Sequence, residues 1–211
     1  MFFNRTFILP FLKNNLPGKH GSFKSLIPNF DIVASCLNAA FYLSHDIRRD
    51  TSVFLLFKEK DIGNLCLKFL GRDLRRFQPD EHSILGLIRN SVIKFKNFAK
   101  ILEKDQKVQL YPGLFAFRSS LSEILSKLNK GDYQILYPSK KGIDVRDVNF
   151  SQKIAYIING ESLMDETVQE IVCTKGVAIH FGGILPRADI QIILLHNELD
   201  RLELKRLSSS F

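Results

Sequence analysis

Cysteine is scarce in this chain, with three residues, Cys36, Cys66 and Cys173, among 211. None stands in a C-x-x-C pair, so neither a disulfide framework nor a zinc ribbon is supported, and a reducing cytoplasmic setting is expected. The five histidines, at positions 20, 45, 82, 180 and 196, never fall at an H-x-x-x-H spacing, and no metal site is expected. Apolar runs such as Ile192 to Leu195 are far shorter than the roughly 20 residues of a spanning helix, so no membrane span is expected. The opening MFFNRTFILPFLKNN combines Arg5 with an apolar patch, but Pro10 interrupts it and no small-residue cleavage site follows; it reads as a first strand rather than a leader. There is no G-x-S-x-G, no phosphate loop ending in Gly-Lys-Ser or Gly-Lys-Thr, and no G-x-G-x-x-G after a strand. Hydrolase, nucleotidase and dinucleotide readings therefore lack support.

What the chain does have is positive charge. Thirty Lys and Arg stand against 22 Asp and Glu, a formal charge of +8, with 45% hydrophobic and 25% charged residues. Those proportions are globular, and the surplus favours a polyanionic partner such as RNA.

Periodicity predicts alternating strands and helices. Thr6 to Phe11 is a strand, and a helix follows with Asp31 as N-cap and Val33, Cys36, Ala40, Leu43 and Ile47 as its seam. Val53 to Phe57 and Leu65 to Leu70 read as a buried strand pair. Pro79, Asp80 and Glu81 open a long helix whose seam runs through Ile84, Ile88, Val92, Phe95, Ala99 and Leu102. Ser120 and Glu123 form a capping box and Gly131 a stop. Tyr133 to Tyr137, Ile154 to Ile158 and Val177 to Phe181 are further strands, separated by a Gly142 turn and by the helix-compatible segment Asp165 to Val172. The last element steps through Ala188, Ile192, Leu195, Leu199 and Leu202 and is a helix with Asp189 as its cap. The alternation implies one α/β domain over residues 1–211.

Four features carry chemistry. Gly182 and Gly183 sit between a strand and a helix, where an open α/β sheet forms a backbone-lined ligand loop; a tight turn is the plainer alternative. SHDIRRD, residues 44–50, packs His45, Asp46, Arg48, Arg49 and Asp50 at a strand mouth, as an RNA-facing site or a loop of internal ion pairs. Lys96, Lys100, Lys104 and Lys107 form a stripe suited to phosphates or to the wet side of a helix. HNELDR, residues 196–201, lies on the final helix, where His196, Asp200 and Glu203 fall on neighbouring turns; a C-cap contact or a salt-bridged face is the plainer alternative.

CLNAAFYLSHDIRRD at 36–50 resembles the signature of archaeal tRNA pseudouridine-54 N1-methyltransferases, the TrmY group of the SPOUT methyltransferases. Asp31, Gly71 with Leu74 and Arg75, Pro79 to Glu81, Pro112 and Gly113, Gly142 to Arg146 and HNELDR match in the same order. The resemblance runs from about Asp31 to Arg201; residues 12–30 are longer than the family pattern. It implies a SPOUT-type α/β domain with a C-terminal trefoil knot in about 133–207, binding S-adenosylmethionine. The implied cofactor loops hold Tyr137 and Pro138, Asn159 and Gly160, and Ile179, His180, Phe181, Gly182, Gly183 and Ile184, with Gln191 aligned to the family's cofactor-loop cysteine. These loops depart from the family pattern: Asn159, Gly160 and Glu161 replace a Gly-Asp-His, and His180 to Gly183 replace a Ser-Leu-Gly-Pro type loop. Asp46 is the implied proton acceptor or base-orienting group, with Arg48 and Arg49 holding RNA. The implied partner is the tRNA T-loop. Two functions stay open here: an active RNA methyltransferase, and a degenerate paralogue that binds RNA without methylating it. A homodimer is expected, because Ile190, Ile193 and Leu194 lie off the final helix's buried seam.

Overall fold

The computed structural model describes residues 3–15, 30–59, 63–75, 77–99, 106–158, 172 and 174–208. Its described elements are β1 (Asn4–Asn15), α1 (Phe30–Phe41), β2 (Thr51–Glu59), β3 (Gly63–Leu70), α2 (Glu81–Ala99), β4 (Val108–Tyr111), β5 (Leu114–Arg118), α3 (Leu121–Lys130), β6 (Gln134–Asp144), β7 (Lys153–Ile157), β8 (Gly176–His180) and α4 (Ala188–Ser208). A short 3-10 turn, Val145–Asp147, lies between β6 and β7.

The strands form one eight-stranded sheet in the order β4-β5-β3-β2-β1-β7-β6-β8. Pairing is parallel from β2 through β1, β7 and β6 to β8, and antiparallel from β2 through β3 and β5 to β4. The alternation of side chains along each strand sends Phe7, Leu9, Val53, Leu55, Leu67, Phe69 and Tyr156 into one core with α1, α2 and α4. The odd set, Ile8, Phe54, Leu56, Cys66, Ile135, Ala155 and Ile157, packs under α3 on the other face.

The expected strands and the four periodic helices are present, with corrections at their ends. α1 starts at Phe30, so Asp31 lies inside the first turn and is not the N-cap. The same helix stops at Phe41; Leu43 is exposed, and Ile47 instead bridges back to Tyr42, a closed loop that helical spacing mimicked. Asp189 is likewise inside α4 rather than capping it, its carboxylate taking both the Nε and Nη2 of Arg187 at 2.7 and 2.6 Å. The capping box of α3 is as expected: Ser120 Oγ accepts from the Glu123 amide at 3.2 Å and Glu123 Oε2 from the Ser120 amide at 2.8 Å. Periodicity missed the β4–β5 hairpin, whose strands have only 4 and 5 residues. Lys107 precedes that hairpin instead of extending the α2 stripe, while Lys100, Lys104, Asn159, Gly160 and most of Asp165 to Val172 lie outside the described residues.

Candidate functional site

The parallel strands give the sheet two edges of different chemistry. At the edge where β1, β2 and β7 begin, SHDIRRD meets HNELDR. Arg5, which is only 1% exposed, directs Nη1 to Asp200 at 2.6 Å, Nη2 to Glu203 at 3.0 Å and Nε toward Asp50 at 3.1 Å. Arg48 lays a two-pronged guanidinium on the same Asp200, at 3.0 and 2.6 Å. His196 completes the cluster. Its Nε2 stands 3.2 Å from the Ala40 carbonyl and so carries the proton, which leaves Nδ1 to accept from Arg5 Nη1 at 3.0 Å. Burial, followed by the charges of Arg48 and Arg5, holds the His196 pKa well below the ordinary 6.5. The Asp200 carboxyl also titrates low: burial works against this, and the hydrogen bonds from Arg48 and Arg5 overcome it.

Arg48 and Asp50 thus tie β1, β2 and α4 together, while Asp46 and Arg49 face outward. Asp46 has a side chain 64% exposed and pairs at 3.0 Å with Arg49, itself 41% exposed. Arg49 is braced by the carbonyls of Gly71 and Leu74 at 3.1 and 3.0 Å. The Ile47 amide donating to Asp46 and the Arg49 hydrogen bond lower the Asp46 pKa, so its carboxylate is ionised at neutral pH and better suited to orient an N–H than to keep its proton. Sequence spacing does not single out Arg5; its signal is a charge inside the apolar first strand.

The implied cofactor residues among those described gather toward the opposite edge, at Tyr137 and Pro138 within β6 and around the end of β8. Phe181 and Ile184 close a hairpin through a 3.1 Å backbone hydrogen bond, and Gly182 and Gly183 between them have φ of 66° and 80°, the paired positive values of a type I′ turn. A Cβ at either glycine would meet nothing within 4 Å, so this turn offers open, exposed backbone. Asp144 holds the turn from below, accepting the Gly182 amide at 3.2 Å; the Gly183 amide donates to His180 Nδ1 at 2.9 Å. Hydrogen bonds from Arg146 keep the Asp144 carboxyl far below the usual carboxylate range.

The other implied cofactor residues are less available. Pro138 and Ile179 are buried side by side in the β6–β8 ladder, leaving their backbone for any ligand contact. Tyr137 packs on the α3 core. Gln191 is spent on structure, its Oε1 accepting from Tyr156 and its Nε2 donating to the Pro186 carbonyl, both at 2.6 Å. β7, 5 residues long, sets the separation between the two edges at roughly 16 Å or more. A single chain therefore does not bring Asp46 and Arg49 to the Gly182 turn.

Comparison with known proteins follows the same lines. Residues 9–204 match a family described as "Putative SAM-dependent RNA methyltransferase". A protein named tRNA (pseudouridine(54)-N(1))-methyltransferase from Methanococcoides burtonii is 30% identical over 193 residues, 90% of this chain and 89% of its own. One of the same name from Methanococcus vannielii is 32% identical over 198 residues, 90% of each chain. Among solved structures, Archaeoglobus fulgidus Nep1 bound to S-adenosylhomocysteine shares the fold at a TM-score of 0.59 and 12% identity, across 96% of this chain and 100% of that one. The chain belongs to the family of S-adenosylmethionine-dependent RNA methyltransferases.

Proposed function

We propose that the protein methylates N1 of pseudouridine 54 in the tRNA T-loop, using S-adenosylmethionine, as a cytoplasmic homodimer. One observation carries the reading: relatives named for that reaction align with nine-tenths of this chain and of their own length, and the alignment spans both edges of the sheet. The family's trefoil knot belongs to the same reading, placed in about 133–207 of a single 1–211 domain.

Tyr137 and Pro138, the turn Ile179 to Ile184 and, outside the described residues, Asn159 and Gly160 would hold the cofactor, mainly through backbone groups. When bound there, S-adenosylmethionine supplies an electrophilic methyl group to the base nitrogen. The chain's own residues do the rest. Asp46 accepts a hydrogen bond from the N1–H and so orients the base, and its low pKa passes the departing proton on to water. Arg49 offsets the negative charge that grows on the ring. Arg48 acts at one remove, through Asp200 and Arg5.

The separated edges are reconciled by a second copy. Ile143, Ile184, Ile190, Ile193 and Leu194 are exposed apolar residues around the Gly182 turn and the first half of α4, and Leu204 and Leu207 extend the exposed stripe to the other end of the helix. Two α4 helices packed antiparallel about a two-fold axis bury this stripe, and they set one protomer's Asp46 edge against its partner's cofactor edge.

The test is transfer of labelled methyl from S-adenosylmethionine to two T-loop RNAs, with pseudouridine or uridine at the target position. Label only in the first, reduced about a hundredfold by Asp46→Ala, is expected. Equal labelling of both overturns the base assignment. RNA binding without labelling or cofactor affinity establishes the degenerate paralogue instead.

A further inference from the structure

A pocket of about 460 Å³ opens beside SHDIRRD on the α3 face of the sheet, lined by Asn4, Arg49, Ser52, Lys68, Arg72, Lys107 and Tyr133 among others. It lies across the sheet from α4 and at the edge away from the Gly182 turn. Of its lining residues, Arg49 alone has a part in the methyl-transfer chemistry proposed above.

Its charge is lopsided. Arg49, Lys68, Arg72 and Lys107 line it against one carboxylate, Asp50, and Asp50 is already committed to Arg5. Arg49 and Arg72 have their own partners in Asp46 and Asp73. Lys68 and Lys107 do not pair with any carboxylate of the described residues. Each ammonium instead rests on an aromatic face, Lys68 at 4.7 Å from the Phe54 ring centre and Lys107 at 3.9 Å from that of Phe115. The strand alternation explains why they converge: Ser52 and Phe54 on β2 and Lys68 and Leu70 on β3 point to one face, and Lys107 reaches the same face from just before β4. Half-burial of Lys68 comes first, and the nearness of Lys107 and Arg72 next, in lowering its pKa. The Ser52 hydroxyl, hydrogen-bonded to that of Thr6 at 2.9 Å, adds a neutral polar group to the lining.

We propose that this pocket is an anion site that seats a backbone phosphate of the bound RNA, at the opposite edge of the sheet from the same chain's Gly182 turn. Two ammoniums and a hydroxyl suit a tetrahedral oxyanion, for which lysine serves as a point charge. Among the described residues the site has no glycine-rich loop and no helix N-terminus aimed into it, the devices that grip a small free phosphate. A phosphodiester needs less, since the rest of the RNA is held elsewhere. Arg49, which lines the pocket and pairs with Asp46, places the seated nucleotide next to the base-handling edge.

The inference rests on the RNA-methyltransferase reading and is tested apart from it. Lys68→Gln/Lys107→Gln should bind pseudouridine-containing tRNA about tenfold more weakly, with a log-log salt slope shallower by roughly 1 to 2, while S-adenosylhomocysteine affinity by calorimetry stays at the wild-type value. Lys107→Gln alone, an exposed change that leaves the Lys68–Phe54 contact in place, should give about half of the slope change. Wild-type affinity and slope in the double variant overturn the proposal, as does weaker binding with no change of slope. Tight, saturable binding of uridine monophosphate that the double variant loses assigns the pocket to a free nucleotide and overturns it too. A wild type that binds tRNA but transfers no methyl leaves the phosphate site standing and removes the enzyme reading.

Discussion

Arg5 shows what one buried charge does in this protein. Alone among the largest fully buried side chains it is cationic, and the carboxylates of Asp50, Asp200 and Glu203 surround it. Breaking such a cluster by removing one member leaves uncompensated charge, which makes the whole group conditional on protonation states. His196 is the member of the cluster whose ordinary pKa lies nearest neutrality. The folded protein keeps it neutral, with a pKa far below 6.5, whereas in the unfolded chain it titrates near the ordinary value. Above about pH 6.5 neither state holds the proton and the histidine is silent. Below that the unfolded state binds a proton that the folded state refuses, so stability falls as pH drops, by up to about 1.4 kcal/mol per pH unit. Melting curves between pH 7.5 and 5 should show this decline, and His196→Gln, which retains a donor for the Ala40 carbonyl, should flatten it. An unchanged slope in the variant would place the responsible titration elsewhere. The low-titrating carboxylates Asp200 and Asp189 act later, losing their contribution only as pH falls through the acid range below about 4.

Among elements, β6 does what the sequence least advertised. Pro138 and Ile143 both stand opposite Ile179 of β8, so the residues between them loop out of the ladder and Asp144 arrives beneath the Gly182 turn. Gly142 makes that crossing: a Cβ there would lie 2.4 Å from the Ala178 carbonyl carbon and oxygen. Gly142→Ala should therefore cost about 1 to 3 kcal/mol and weaken S-adenosylhomocysteine binding as β8 and its turn are pushed away. Gly86→Ala, in α2 with nothing within 4 Å of the new Cβ, should be neutral or stabilising by up to about 1 kcal/mol. Calorimetric melting and ligand titration of the two variants check the contrast; equal behaviour would mean the crossing is not tight. Gly142 was legible in the sequence only as a turn, because close backbone approach leaves no periodic trace. The buried strands and long helices were legible because each repeats its apolar residues at the period of its own geometry. The 4- and 5-residue strands of the β4–β5 hairpin are too short to repeat. Motif resemblance marked SHDIRRD and HNELDR separately, and only the fold shows that they interlock through Asp200. The Lys68–Lys107 pair joins residues from different strands, which no local spacing connects.

At the scale of the whole molecule, the proposed site residues are divided between two edges of one sheet, and α4 runs from one to the other with an exposed apolar stripe. If each active site takes Asp46 and Arg49 from one protomer and the Gly182 turn from its partner, two inactive variants should repair one another. Asp46→Ala removes the base-orienting carboxylate. Gly182→Val forces a β-branched residue to a φ near 66° and spoils the turn without a steric clash elsewhere. Each homodimer alone should be nearly inactive. When equal amounts are unfolded together and refolded, about half of the dimers are mixed, and in every mixed dimer both defects fall in the same site while the other site is whole. Methyl transfer should then return to about a quarter of the wild-type rate, the statistical expectation for two-fold pairing. Adding Ile193→Asp to both variants charges the exposed stripe and should abolish the recovery, with light scattering reporting monomers. A site built within one chain gives the opposite result, because every subunit in the mixture carries one defect and no combination restores activity.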